Sequence, residues 1–221
     1  LESHHFDAIL SENGGYPGSW GCLAIIFSAK MCRITKRVLL IHHEATRPAY
    51  YQKYFENFID NMIGSISTDV IAVSLATRDS LYKHRYLLTN KAPIRVIYNG
   101  VDFSDFSSAK YNLKVEHNIE DKKKLIGVVG RVERYKGHED IIFANSLLNH
   151  TEQDNIQLIF IGKGDQSEIN RLNRSQNSLE INKPFIHTGY LNDESRAIIE
   201  QLDVLCVLTK DFEGFGLTIA E

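Results

Sequence analysis

Basic excess, paired cysteines and long apolar runs are all missing from this 221-residue chain, and each absence excludes something. Lysine and arginine number 25 against 28 aspartates and glutamates, a formal net charge of −3. A dedicated nucleic-acid binder, which carries a clear basic excess, is therefore not expected. The three cysteines, Cys22, Cys32 and Cys206, are an odd number without C-x-x-C spacing. That argues against a disulfide framework or a structural zinc site, and for a reducing compartment. The longest apolar candidate, Trp20 to Ala29, stops at Lys30 and falls short of the ~20 residues that span a bilayer. The opening residues lack the basic start and apolar core of a secretory signal. The chain begins at Leu1 rather than methionine and stops at Glu221 within an apparent helix, so the expectation is a piece of a longer protein.

What is present is the balance of a soluble globular protein, with 43% hydrophobic and 24% charged residues. Short Val/Ile/Leu-rich runs are candidate strands: Phe6–Leu10, Arg37–Ile41, Val70–Val73, Ile94–Tyr98, Lys124–Val129, Gln157–Ile161, Phe185–Thr188 and Val204–Leu208. Near-continuous apolar runs are what strands buried on both faces of a parallel sheet require. Helical patterns fall between them at Ser19–Cys32, Pro48–Ile63, Thr77–Leu88, His138–Leu148, Gln166–Ser178 and Asp193–Gln201. Strand followed by helix, repeated, predicts an open α/β sheet with right-handed crossovers. The alternation lapses between Asn99 and Lys123, with an Asn-Gly turn and a charge run from Glu120 to Lys124. A domain boundary is expected there, giving partial domains at 1–103 and 104–221.

Three strand-to-helix loops carry the chemistry. Asp211 to Glu221 follows an apolar strand, opens a helix and places glycines at 214 and 216. Glycines beyond the carboxyl ends of parallel strands let the backbone approach a phosphate, and the following helix points free N–H groups at it. Glu221 is ~7.5 Å along that helix from Gly216, with its side chain tilted back toward the start. Such a carboxylate can accept hydrogen bonds from sugar hydroxyls, and Glu213 stands on the other side of the loop. Gly130-Arg131-Val132-Glu133-Arg134-Tyr135-Lys136-Gly137 also begins where a buried strand ends. Arginine grips phosphate oxygens as a fork and lysine as a point charge, so Arg131 and Lys136 suit a diphosphate. Gly162-Lys163-Gly164 is the third loop.

Together these segments resemble the retaining glycosyltransferases of family 4, the group 1 glycosyltransferases with the GT-B fold. The resemblance covers essentially the whole chain. It runs through N-G-V-D at 99–102, G-R-x-x-x-x-K-G at 130–137, I-G-K-G at 161–164, T-G-Y-L at 188–191, Asp203, and E-G-F-G-L-x-x-x-E at 213–221. It implies two Rossmann-like domains facing a cleft, both incomplete here. A nucleotide-diphosphate sugar would be the donor substrate, bound mainly by the C-terminal domain, and the acceptor would lie mainly on the N-terminal one. Carried over, Arg131 and Lys136 stabilise the departing diphosphate, and Glu213 contacts the transferred sugar. Gly214, Phe215, Gly216 and Leu217 face sugar and phosphate, Glu221 holds the ribose, Gly162 and Gly164 line the donor site, and Tyr190 and Leu191 read the base. No cofactor and no metal are expected, because two cations and a helix dipole can neutralise the leaving group.

In the first half, Arg37–Ile41 ends in His42-His43-Glu44, and the resemblance favours His42 as the histidine near the transferred sugar. Gly14 and Gly15, after the first strand, are expected on the acceptor side. The acceptor would be a saccharide or a lipid-linked saccharide in cell-envelope polysaccharide or glycoconjugate synthesis, the enzyme cytoplasmic or at the inner membrane face. Leu23–Phe27 followed by Lys30, Arg33, Lys36 and Arg37 could make a peripheral contact with an anionic membrane. Two other classes compete. A Rossmann dehydrogenase would need G-x-G-x-x-G, yet position 167 is serine. A non-catalytic nucleotide-binding module would bind donor without turnover.

Overall fold

The computed structural model describes residues 5–101, 111–179, 181, 183–191, 195–211 and 213–220. Contacts divide the chain into two compact units, Leu1–Gly100 with Phe212–Gly216, and Val101–Asp211 with Leu217–Glu221. Each has its own parallel sheet, as expected of an α/β protein.

The first unit runs β1 (Ala8–Asn13), α1 (Trp20–Met31), β2 (Lys36–Ile41), α2 (Lys53–Ile66), β3 (Asp69–Ala72), α3 (Leu75–His84), α4 (Tyr86–Thr89) and β4 (Ile94–Val96). The strands lie side by side in chain order, all parallel. Right-handed crossovers in one direction place every connecting helix on the same face. The core records this: Leu23 and Ile26 of α1, Ile63 of α2 and Leu81 of α3 pack over Leu39, Ile41, Val70 and Ala72.

The strand expected at Ile94–Tyr98 ends at Val96, the helix expected at Pro48–Ile63 runs Lys53–Ile66, and two further differences have a clear physical cause. The first strand extends through Ser11, Glu12 and Asn13 instead of ending at Leu10. Polar residues are tolerated there because their groups are paired. Ser11 Oγ donates to the Cys22 carbonyl at 2.9 Å, Asn13 Nδ2 donates to the Pro17 carbonyl at 2.8 Å, and Asn13 Oδ1 accepts from the Ser19 amide at 2.9 Å. The helix expected over Thr77–Leu88 breaks at Arg85, which is pulled inside. Its Nη1 donates to Glu56 Oε2 at 2.6 Å and lies 3.5 Å from Asp60 Oδ2, and its Nε donates to the Thr46 carbonyl at 2.8 Å. Tyr16 Oη completes the cluster by donating to Asp60 Oδ1 at 2.9 Å. Burial raises the Asp60 carboxyl above its ordinary range, and the Arg85 charge opposes that rise.

The second unit continues with α5 (Leu113–Glu116), β5 (Lys124–Val129), α6 (His138–Ser146), α7 (His150–Asp154), β6 (Ile156–Ile161), α8 (Gln166–Ser178), β7 (Ile186–Gly189), α9 (Ser195–Ile199), β8 (Val204–Leu205) and α10 (Leu217–Ala220). Its sheet order is β7-β6-β5-β8, again parallel. The chain steps outward from β5 to β7, then returns past β5 to place β8 on its other side. Reversal of direction moves the connecting helix to the opposite face. Ile142 of α6 and Ile169 and Leu172 of α8 cover one face, whereas Ile198 of α9 and Leu113 of α5 cover the other. Asp203 fixes the register of the returning strand: Oδ2 accepts from the Leu125 amide at 2.9 Å and Oδ1 from Lys124 Nζ at 2.7 Å.

Candidate donor and acceptor sites

Ligands of open α/β sheets bind beyond the carboxyl ends of the strands, where the strand order reverses. In the second unit that point lies between β5 and β8. The loop after β5 begins at Gly130, whose φ of +140° favours glycine, and passes through Arg131 and Val132 to a 3-10 turn at Arg134–Lys136. It ends at Gly137, with φ +76°, where a Cβ would come within 2.5 Å of the Leu208 carbonyl oxygen. The Lys210 amide donates to the Tyr135 carbonyl at 2.7 Å, so the loops after β5 and β8 are tied backbone to backbone.

These ties set the two cations. Arg131 Nη2 donates to the Tyr135 hydroxyl at 3.0 Å, and Lys136 Nζ stands 5.5 Å from the centre of the same ring. Arg131 Nη1 also pairs with Glu133 Oε1 at 2.8 Å. Lys136 Nζ donates to Thr209 Oγ1 at 3.4 Å, which places it at the loop following β8. Tyr135, Glu133 and Thr209 were not legible as partners in the sequence. Their roles come from a turn that brings residues 131 and 135 together and from a loop 73 positions after Lys136.

The loop after β6 packs directly on this one. The Val132 amide donates to the Lys163 carbonyl at 2.7 Å, and a Cβ on Gly164 would meet Val132 Cβ at 2.8 Å. Beyond β7, Tyr190 is exposed, and Lys163 Nζ lies 5.3 Å from its ring centre. Two cavities of about 390 and 400 Å³ open here and share Arg131, Lys163 and Tyr190 in their walls. One has Glu133, Asp165 and His187 in its walls. The other runs along Gly130, Gly162 and Leu191. The structure thus gathers Arg131, Gly162, Gly164, Tyr190 and Leu191 of the expected donor residues around one edge. Lys163 is a further cation there, unassigned in the sequence because a strand-to-helix turn commonly carries an exposed lysine. Leu217 opens α10, so the expected helix after Gly216 is present. Glu221 lies outside the described residues.

The first unit contains the other candidates. His42 follows β2, its amide donates to the Asn13 carbonyl at 3.0 Å, and its Nε2 lies 3.8 Å from Glu12 Oε2. Gly14 and Gly15 adjoin the neighbouring histidine instead: Cβ atoms built on them would meet His43 at 3.9 and 3.7 Å. Gly214, within Phe212–Gly216, lies against the His42 carbonyl so closely that no side chain fits. Phe215 packs on Tyr98 with ring centres 6.1 Å apart, while Glu213 is half-buried. Among the described residues no group of three or more His, Cys, Asp or Glu is arranged to hold a metal ion, and no helix is long and apolar enough to cross a membrane.

Comparison with known proteins shows the family and the fold. The family model for glycosyl transferases group 1 matches residues 110–221. A glycosyltransferase of Methanocaldococcus jannaschii is 25% identical over 221 residues, covering 96% of this chain and 53% of that protein. Glycogen synthase of Mycoplasma mobile is 29% identical over 148 residues, covering 57% of this chain and 30% of the synthase. Among solved structures, HepE of Anabaena in complex with UDP and glucose superposes with a TM-score of 0.75 at 17% identity, over 98% of this chain and 56% of that one. The fold is accordingly that of the GT-B glycosyltransferases, and the chain spans about half the length of the Methanocaldococcus and Anabaena proteins and less of the synthase. The dehydrogenase alternative is not favoured by any of these matches.

Proposed function

The chain belongs to the group 1 glycosyltransferases, and we propose that the protein moves a sugar from a nucleotide-diphosphate sugar to an acceptor hydroxyl, with retention of configuration and without a metal ion. The observation that carries this reading is the Arg131–Tyr135–Lys136 arrangement at the point where the strand order reverses. As the sugar–phosphate bond breaks, negative charge grows on the diphosphate. A guanidinium fork and an ammonium held in place beforehand stabilise that charge more than they stabilise the intact donor. The two cations are assigned the work that a divalent ion performs elsewhere, which is the physical basis for proposing metal independence.

In this reading residues 104–221 form the donor half and residues 1–103 the acceptor half. The backbone at Gly214, Phe215, Gly216 and Leu217 faces sugar and phosphate, and Gly162 and Gly164 admit the nucleotide. Tyr190 and Leu191 receive the base, Glu213 the sugar hydroxyls and Glu221 the ribose. His42, Gly14 and Gly15 serve the sugar and acceptor. The UDP and glucose in the HepE crystal support a nucleotide-sugar donor. The acceptor is assigned as a saccharide or lipid-linked saccharide of the cell envelope, built at the cytoplasmic membrane face, on family resemblance.

The test is a donor screen on the full-length protein with UDP-, GDP- and ADP-sugars, with and without a chelator, reading product anomer by NMR. Turnover of one donor, unchanged by chelator and giving a retained product, is the expected result. An inverted product refutes retention, loss of turnover with chelator refutes metal independence, and binding without hydrolysis or transfer leaves only a nucleotide-binding module.

A further inference from the structure

The guanidinium of Arg131 is held by its own loop. Nη1 pairs with Glu133 Oε1 at 2.8 Å and Nη2 donates to the Tyr135 hydroxyl at 3.0 Å, so both terminal nitrogens are engaged. A carboxylate oxygen on a guanidinium presents the charge and geometry that a phosphate oxygen presents. Glu133 thus stands in the place of the group that Arg131 is proposed to bind. It lines the cavity of about 390 Å³ together with Arg131 and Lys163. Arg134, the next cation along the loop, faces Glu168 at 3.8 Å instead. The backbone of Glu133 is ordinary and extended, with φ −136° and ψ 153°, so no strain dictates its side chain.

The side chains of Arg131 and Glu133 are 64% and 35% exposed, and an ion pair so open to water adds little to stability. Weakness suits a contact that must open each time a ligand arrives. Its charge matters more. In a nucleotide-diphosphate sugar each phosphate carries one negative charge. Once the sugar has left, the terminal phosphate gains an oxygen that ionises at a pKa of about 6 and so carries most of a second charge at neutral pH. A carboxylate beside the diphosphate repels that product more strongly than it repels the donor. The same carboxylate has the Arg131 guanidinium to return to as the product leaves.

We infer that Glu133 is an internal competitor for the diphosphate: it yields the Arg131 guanidinium to the donor and reclaims it as the nucleoside diphosphate departs, setting the balance between donor binding and product release. This rests on the donor-site reading above, in which Arg131 holds the diphosphate.

The test is calorimetric titration of the full-length wild type and Glu133→Gln with UDP, GDP and ADP, followed by steady-state kinetics on the donor that turns over. Glutamine keeps the size and removes the charge. The nucleoside diphosphate is expected to bind about tenfold tighter to Glu133→Gln, while KM for the donor falls by no more than about threefold. Added salt should narrow the difference. In an Arg131→Ala background the gain should shrink to about twofold or less, because the contact it relieves is already gone. Asp165→Asn removes a charge from the same cavity wall and leaves the Arg131 pair in place, so it should shift binding by less than about threefold. Unchanged or weaker binding by Glu133→Gln, a gain that persists in full without Arg131, or an equal gain from Asp165→Asn would overturn the inference. Failure of the wild type to bind any of the three nucleotides would instead overturn the donor-site reading and this inference with it. That outcome is distinct from tight wild-type binding that Glu133→Gln leaves as it was.

Discussion

Gly162 touches Gly130 backbone to backbone: a Cβ on Gly162 would fall on the Gly130 carbonyl oxygen. Both residues have φ of +140°. Two neighbouring parallel strands thus end in turns that only glycine can make, packed so that neither can shift without the other. Gly162→Ala is expected to cost roughly 1–3 kcal/mol of unfolding free energy from backbone strain and collision. Gly100 has open space around it and an ordinary φ, so Gly100→Ala should stay within about 0.5 kcal/mol of wild type. Urea unfolding of both variants checks the contrast.

Lys136→Ala should lower kcat about a hundredfold in the full-length enzyme, the usual consequence of removing one group that stabilises developing negative charge. Tyr135→Phe should act through Arg131, whose hydrogen bond it deletes, with a loss of no more than about tenfold. Equal and complete losses in both, or none in Lys136→Ala, would contradict the assignment. Steady-state kinetics with saturating acceptor separates the outcomes.

Arg85 sits fully buried between Glu56 and Asp60. Replacing it with methionine strands two carboxylates in the core, at an expected cost of about 3–5 kcal/mol. Replacing all three with apolar residues of similar size should cost far less, because no unpaired charge remains. Chemical denaturation of the single and triple variants tests the difference. A single variant as stable as wild type would show that the cluster is not what holds the α3–α4 break in place.

His138 opens α6 with its ring edge-on to Phe160, ring centres 4.9 Å apart. Burial pushes its pKa down to about 4 from the ordinary 6.5. The unfolded chain therefore takes up a proton between those values while the folded chain does not, and stability rises with pH across that window. The contribution is complete above pH 6.5 and is lost as pH falls toward 4, with an upper bound of about 3 kcal/mol. His138→Phe should flatten this part of the pH–stability curve. Thermal unfolding at pH 7, 5.5 and 4.5 measures it, and parallel curves for variant and wild type would refute the role.

How much of the site could be read in the sequence depended on how far apart its parts lie along the chain. Gly130, Arg131, Lys136, Gly162 and Gly164 announce themselves because glycine and cation follow an apolar strand within a few residues. The linkage of Arg131 to Lys136 through Tyr135 was not legible, since a tyrosine in a surface turn carries no local signal. Nor was the apposition of Lys136 and Thr209, which needs β8 to return beside β5. The polar end of β1 went unread for the same reason: Ser11 and Asn13 break the apolar pattern, and their partners Cys22, Pro17 and Ser19 become visible only once the loop has folded back.

Hydrophobic period and glycine placement by themselves determined the alternation of strand and helix, the parallel sheets and the strand-end loops, because each depends on contacts within about a dozen residues. Strand order and the inward turn of Arg85 were decided only by tertiary structure. They depend on which of several equally apolar surfaces meet, and the sum of packing over the whole unit makes that choice.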